Sequence, residues 1–261
     1  MQRRHFLAAS LAASAVAATQ LAPAQAPAGG VREFYLLRRY QLKSGPELKL
    51  TENYFAAALF PALSRMGLGP VGALKLDFGS ETPAYYLLIP GAGAEILVEL
   101  DLRLARDAEF LQAAAPFWNA TAGAPAFERV ESWLLAAFEG WPRVTPPASK
   151  SKRIFQLRTY ESPSNGEHVR KVQMFHSGEF EIFKAAGFHP VFFGDTQVGS
   201  RMPSLTYMLS FGDMAELEAK WDVFRNDPAW KKLSADPRFA FDPIVMNISN
   251  LTLTPLDCSQ I

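Results

Sequence analysis

Two arginine and tyrosine pairs are the residues of this sequence whose types and spacing best suit chemistry. Arg38 and Tyr40 stand two positions apart, and Arg158 and Tyr160 repeat the pattern 120 residues later. Side chains two positions apart lie on the same face of a β-strand. A guanidinium offers a planar fork of donors to a carboxylate, and a phenol adds a hydroxyl donor. These four residues are therefore candidate ligands for a small organic anion.

An architectural role for the same arginines is the alternative. Burial of an uncompensated charge costs several kcal/mol, so each arginine needs either a carboxylate partner or a wet cavity. The duplication of the pair favours ion pairs that hold the fold together. Alternation in the second segment predicts that Phe155 and Leu157 face a helical layer. Arg158 and Tyr160 would then face the space between two sheets.

Histidines and carboxylates in the second half are weaker candidates. His168 and His176 are eight positions apart, which on a helix separates them by about 12 Å, so they cannot bind one metal ion. His176 and Glu179 are three apart and could form a general acid/base pair, with an exposed, solvated helix face as the alternative. The single cysteine, Cys258, excludes an intrachain disulfide and a cysteine metal cluster. We predict no metal and no other cofactor.

An internal repeat defines the elements that must position these residues. At an offset of 120, residues 37–40 align with residues 157–160. The offset then falls to 112, where Pro116 aligns with Pro228, and this predicts an eight-residue insertion in the first copy near residues 90–93. We predict a first repeat over residues 31–140, a linker over residues 141–152 and a second repeat over residues 153–256.

Each copy is predicted to follow the order β-α-β-β-α-β. This is a ferredoxin-like unit, whose antiparallel sheet carries helices on one face. Because the other face needs a cover, two copies in one chain can stack their bare faces on each other.

Four segments of the second repeat carry a resemblance to a known family. They are FQLRTYE at 155–161, GFHPVFFG at 187–194, LTYMLSF at 205–211 and DPAW at 227–230. They resemble the NIPSNAP family, a branch of the dimeric α/β-barrel proteins. The resemblance implies an α+β fold in which tandem ferredoxin-like repeats form an intramolecular dimeric α/β-barrel. It implies no reaction, because the family has no agreed enzymatic activity, and haem binding by a single histidine rests on the barrel fold alone.

The second repeat is the more polar copy. It contains every histidine beyond residue 28, and Glu179 and Glu181 stand where the first repeat has Leu59 and Pro61. If the copies were once identical, this divergence favours the second as the location of chemistry. The alternative is a solvent-facing helix in the second copy and a packed one in the first.

The first 28 residues resemble a twin-arginine signal peptide. Arg3 and Arg4 precede Phe6, and an alanine-rich apolar run leads to cleavage positions after Ala24 or Ala28. The run is too short for a transmembrane helix, which needs about 20 apolar residues, and no later segment qualifies. We therefore expect a periplasmic or otherwise exported protein with no membrane segment in the mature chain.

The composition excludes one class of partner. With 26 basic and 26 acidic side chains, the chain has no surplus of cations to neutralise a nucleic acid backbone. We predict an exported NIPSNAP-like protein, of undetermined reaction, that binds a small organic ligand in the cavity between its sheets. The alternative is a non-catalytic scaffold whose barrel is filled by side chains. Either function is compatible with a homo-oligomer.

Overall fold

The structure, a computed structural model, describes residues 32–43, 45–79, 82–148 and 152–261. The predicted signal peptide, with Arg3 and Arg4, lies outside the described residues. The first half contains the strands β1 (Phe34–Gln41), β2 (Gly72–Leu76), β3 (Ala84–Gly91) and β4 (Arg129–Ala137), and the helices α1 (Pro46–Tyr54), α2 (Phe60–Arg65), α3 (Ala94–Val98), α4 (Leu100–Leu104) and α5 (Ala108–Trp118).

The second half repeats this order of elements. Its strands are β5 (Ile154–Glu161), β6 (His189–Val198), β7 (Ser204–Phe211) and β8 (Asn247–Pro255), and its helices are α6 (Asn165–Met174), α7 (Phe180–Ala185), α8 (Met214–Asn226), α9 (Pro228–Ser234) and α10 (Phe241–Ile244), with a 3-10 turn at Pro237–Phe239. One π-helical turn joins α1 to α2 at Phe55–Leu59, and another joins α6 to α7 at Phe175–Glu179.

The eight strands form one closed antiparallel barrel in the order β1-β3-β2-β8-β5-β7-β6-β4. Each half contributes four neighbouring strands, which form the sheet of a ferredoxin-like unit. The pairs β2–β8 and β4–β6 join the two sheets along both edges. The fold is therefore the predicted α+β fold, in which tandem ferredoxin-like repeats form an intramolecular dimeric α/β-barrel.

The two repeats are related by an approximate twofold axis that runs along the barrel. Neighbouring strands are antiparallel all round, so β1 and β5, four places apart in the ring, run in the same direction. Equivalent residues therefore lie at the same end of the barrel, on opposite walls. This relation decides which residues of the two repeats can share a site.

Apolar side chains cover both faces of each sheet. One set fills the barrel interior and includes Tyr35, Leu37, Phe155, Leu157 and Met208. Two other sets lie outside the barrel, beneath the helices of each repeat, and include Tyr40 and Phe55 in the first repeat and Tyr160 and Phe175 in the second.

The predicted orientation of the first strand of the second repeat is wrong. Phe155 and Leu157 lie inside the barrel, whereas Arg158 and Tyr160 lie beneath the helices. Alternation separates residues into two sets that face opposite ways, but it does not show which set faces which layer when both faces are buried. The first repeat has the same orientation as the second.

The predicted eight-residue insertion is also wrong. The helices α3 and α8 begin 120 positions apart, as do the helix-capping residues Asp107 and Asp227. The strands β4 and β8 begin 118 positions apart, so the copies differ by two residues. Pro116 lies inside α5 and Pro228 begins α9, so the alignment of these two prolines does not reflect equivalent positions.

Candidate functional site

One end of the barrel interior is polar and contains a cavity of about 380 Å³. Leu37, Leu76, Leu157 and Leu251 form its apolar part. The charged side chains that line it are three arginines and one carboxylate, namely Arg39, Arg129, Arg201 and Glu131. Hydroxyl groups complete the wall, from Tyr86, Thr159, Ser200, Ser204, Thr206 and Ser249. The lining therefore carries a surplus of positive charge beside many hydrogen-bonding groups.

Arg39 is the most buried of the three arginines. Its side chain is only 10% exposed, forms an ion pair with Glu131 and lies close enough to Tyr86 to affect the pKa of that phenol. Burial raises the pKa of Tyr86, and the positive charge of Arg39 opposes that rise without cancelling it. Tyr86 is therefore a protonated phenol at neutral pH and can donate a hydrogen bond into the cavity.

Arg201 is held over the cavity by the turn between β6 and β7. Its backbone has φ 64°, in the left-handed region that residues other than glycine seldom adopt. The guanidinium donates to Ser249 Oγ at 3.0 Å and lies 3.8 Å from a carboxylate oxygen of Glu161. More than half of the side chain is exposed, so it can contact a ligand that enters from solvent. A strained backbone of this kind is typical of functional sites.

The two repeats contribute different chemistry to this cavity. Arg39 and Tyr86 in the first repeat are equivalent to Thr159 and Thr206 in the second, whose hydroxyls hydrogen-bond each other at 2.9 Å. The charged wall therefore belongs mainly to the first repeat, whereas the sequence favours the second as the location of chemistry. Arg39 is not among the residues predicted from the sequence, although the contrast between RRY at 38–40 and RTY at 158–160 indicates it.

The predicted ligand Arg38 lies outside the barrel and has a carboxylate partner. Its two terminal nitrogens donate to the two carboxylate oxygens of Asp101 on α4, both at 2.9 Å. Burial lowers the pKa of Arg38, but its interactions with Tyr40 and Asp101 more than offset burial, so the guanidinium stays charged. For Arg38 and Tyr40 the architectural interpretation is therefore the one that the contacts support.

Arg158 occupies the equivalent position but has different neighbours. Its guanidinium donates to the Tyr160 hydroxyl at 3.0 Å and lies 4.6 Å from the ring centre of Trp221, which stands where the first repeat has Asp101. The Tyr160 hydroxyl is also 3.0 Å from that of Tyr207. Within the described ranges, Arg158 forms no ion pair at up to 4.0 Å, and its buried Nε has no hydrogen-bond partner.

A buried ion pair lies beside this arginine. The Lys171 amine donates to a Glu179 carboxylate oxygen at 2.8 Å, and both side chains are less than 5% exposed. Burial raises the pKa of Glu179, while Lys171 and, more weakly, Arg158 oppose the rise. Lys171 also lies 4.5 Å from the ring centre of Phe175. Two cations and one carboxylate therefore share this interior.

The predicted acid/base pair of His176 and Glu179 does not form. Glu179 contacts Lys171, while both ring nitrogens of His176 bond the backbone: Nδ1 donates to Val172 O at 2.9 Å, and Nε2 accepts from Gly140 N at 3.1 Å. The π-helical turn between α6 and α7 interrupts the regular helical spacing on which that prediction depended. His176 therefore positions the segment after β4.

Metal-binding clusters and membrane-spanning helices are both absent from the described part of the chain. It contains no group of three or more histidine, cysteine, aspartate or glutamate side chains placed to hold a metal ion. In the same residues, no helix combines the length and the apolar character that crossing a bilayer requires.

Comparison with known proteins finds a family model that matches the second repeat. Residues 155–260 match the NIPSNAP family model. This NIPSNAP match contains the whole Arg158 cluster, whereas Arg39, Tyr86 and Glu131 of the cavity lie outside it. A NIPSNAP-like domain protein from Burkholderia xenovorans is 16% identical, with 40% of this chain and 86% of that chain covered and a TM-score of 0.36. The search of curated proteins found no match.

Two solved structures cover both repeats. A monooxygenase candidate from Lactobacillus acidophilus is 10% identical, with 86% of this chain and 94% of that chain covered and a TM-score of 0.57. A heme-binding protein from Thermus thermophilus is 13% identical, with 87% of this chain and 92% of that chain covered and a TM-score of 0.50. At these sequence identities the similarity shows the fold alone. The two repeats of this chain together form a barrel of a known type.

Proposed function

We propose that the protein binds a small organic anion in the polar end of its barrel. The observation that carries this proposal is the cavity of about 380 Å³ lined by three arginines and one carboxylate. This volume lies at the lower end of the range for small-molecule sites, about 300–1,000 Å³, and therefore suits a compact ligand. The alternative function, a scaffold with a barrel filled by side chains, fits the apolar end of the interior but not this end.

The lining assigns a role to each part of the ligand. Arg201 and Arg39 supply charged donors for a carboxylate, and Tyr86 supplies a neutral one. Leu157 and Leu251 contact the apolar part of the ligand. An anion in this position also compensates the positive charge of the three arginines that Glu131 and the neighbouring Glu161 together leave unneutralised.

Replacement of Arg201 with glutamine tests this proposal. A hydrogen bond to a charged group contributes about 1.5–3 kcal/mol, so we expect the affinity for the best-bound carboxylate to fall by about tenfold or more. Titration calorimetry with acetate, benzoate and succinate measures the affinity. Native mass spectrometry of the purified protein reports any retained ligand and the subunit number together.

Arg238→Gln is the matched control, because Arg238 is a mostly exposed arginine, paired with Asp236, that does not line the barrel cavity. Its affinity for carboxylates should equal that of the parent. The proposal is abandoned if no carboxylate binds the parent, or if Arg201→Gln binds as tightly as Arg238→Gln.

A second candidate site for an anion is the Arg158 and Tyr160 cluster beneath the helices. The observation that favours it is that Arg158 lacks the carboxylate partner that Asp101 provides for Arg38. A carboxylate suits this position, because the planar guanidinium, which lies over the Trp221 ring, offers it a fork of donors.

We also propose that the chain is exported by the twin-arginine route, from the pattern at Arg3, Arg4 and Phe6. Replacement of both arginines with lysine should leave the precursor in the cytoplasm. Cell fractionation followed by immunoblotting measures the distribution. Unchanged periplasmic accumulation of the double variant contradicts this proposal.

A further inference from the structure

We propose a second ligand site, at the opposite end of the barrel, that takes an amphipathic organic anion. The site is a groove of about 780 Å³ beside the start of β6, the end of β7 and α7. Its occupant has an aromatic or alkyl body and a carboxylate or sulfonate head. The barrel cavity lies at the other ends of β5, β6 and β7, so the two sites are spatially separate.

Aromatic side chains form the floor and one wall of the groove. Phe188 and Phe211 are almost fully buried at the floor. Trp141 and Phe180 are partly exposed, and their ring centres lie 6.1 Å apart. Such rings bury a large apolar area against a flat or chain-like ligand. The groove therefore accepts an apolar body rather than a polar one.

The predicted linker builds the opposite wall. Thr145 N donates to Val191 O at 2.8 Å, which fixes the segment against β6, and residues 145–148 line the groove. Gly140 allows the close approach at the start of this segment, because a Cβ there would lie 2.7 Å from the Phe180 ring. The segment after β4 is therefore part of a binding surface as well as a connection between repeats.

The charged groups at the edge of the groove are mostly cations. Lys152, Arg153 and Lys184 line it, together with the carboxylates Glu181 and Glu216. Glu216 is already engaged, since it forms an ion pair with Lys220 and accepts from Gly212 N at 2.5 Å. Arg153 is engaged as well, because it donates to the main-chain oxygen of Ile261. Lys152 and Lys184 then outnumber Glu181, which favours an anionic head group at the edge of an aromatic groove.

Divergence between the repeats points to the same groove. Lys184 and His189, which line it, stand where the first repeat has Ser64 and Gly69. Some polar residues of the second repeat therefore line this groove. They have no role in the site proposed inside the barrel. Symmetric architecture alone does not call for a lysine at position 184 in one copy only.

Binding of 8-anilinonaphthalene-1-sulfonate to the full chain tests the inference, with dodecanoate as the competitor. The dye combines an aromatic body with a sulfonate, and its fluorescence rises in an apolar site. We expect saturable binding that dodecanoate displaces. Lys184→Gln should weaken it about threefold, and Lys152→Gln with Lys184→Gln about tenfold, since each exposed charge contributes modestly. Circular dichroism melting shows whether each variant keeps its fold.

Two further variants locate the binding site. Trp141→Leu removes an aromatic wall and should lower dye affinity, whereas Arg201→Gln, in the barrel cavity, should leave it unchanged. The inference is overturned if the folded parent does not bind the dye, or if the lysine variants bind it as tightly as the parent. Loss of dye binding in Arg201→Gln alone would place the dye in the barrel and would also overturn it. The dye-binding results expected for the groove do not depend on whether the barrel cavity binds a carboxylate.

Discussion

Replacement of Glu179 with glutamine is expected to destabilise the fold by about 3–5 kcal/mol. The change removes the carboxylate that lies 2.8 Å from the buried Lys171 amine, and it leaves Lys171 and Arg158 as neighbouring cations in a helix-covered interior. An uncompensated buried charge is far more costly than the ion pair that it came from. Urea denaturation followed by circular dichroism measures the free energy of unfolding.

The double variant Lys171→Thr with Glu179→Leu should be much more stable than either single variant. It installs the residues that the first repeat carries at these positions, Thr51 and Leu59, both of them buried. The double variant strands no lysine, but threonine is smaller than lysine and Arg158 keeps its charge. We therefore expect a free energy of unfolding about 1–2 kcal/mol below that of the parent. The exposed Glu181→Gln is the control and should change it by less than about 0.5 kcal/mol. Additive single and double effects would contradict the proposed coupling.

Replacement of Arg158 with methionine is expected to preserve the fold and lower benzoate affinity at the helix-covered site by about tenfold or more. Methionine keeps much of the apolar stem but removes the charge and the donors. The measurement is made by calorimetry in the Arg201→Gln background, so that the barrel cavity contributes little. The lost contact with Trp221 costs about 1–2 kcal/mol of stability at most, because removal of a cation also relieves Lys171.

Arg38→Met is the control for this experiment. It breaks the two-pronged contact with Asp101, whose side chain is 58% exposed, so the stranded carboxylate is partly hydrated. We expect a loss of stability of about 1–3 kcal/mol with benzoate affinity unchanged. If Arg158→Met fails to fold while Arg38→Met folds, Arg158 is architectural. Equal benzoate affinity in the folded Arg158→Met variant would exclude Arg158 as a ligand.

The order of elements was predictable from the sequence, whereas the orientation of the strands was not. The 120-residue offset and the β-α-β-β-α-β order come from patterns of turns and apolar residues along the chain. Both faces of the strand are buried among apolar side chains, so the sequence does not show whether Arg158 or Leu157 faces the barrel interior. A period of two contains no information on that choice.

The type of candidate site was predictable from the sequence, but the residues that form it were not. A cavity between the sheets with arginine in it was expected, but the arginine is Arg39 rather than Arg38, one position along the strand. The partners of Arg158 depend on Trp221, which lies 63 residues further along the chain. Contacts of such separation are set by helix packing, which a single sequence does not specify. The pairing of His176 with Glu179 failed for a local reason, the π-helical turn.

The approximate twofold axis along the barrel affects the orientation in which a ligand can bind in the cavity. In a chain with two identical repeats, a ligand would have two equivalent binding orientations, related by a rotation of half a turn about this axis. It would occupy both equally. Here Arg39 faces Thr159 and Tyr86 faces Thr206 across the axis, so the two poses differ in energy. An unsymmetrical ligand therefore prefers the pose whose charged end lies near Arg39 and Tyr86 of the first repeat, where Arg201 of the second repeat also acts. A dicarboxylate would gain full charge compensation at only one of its ends.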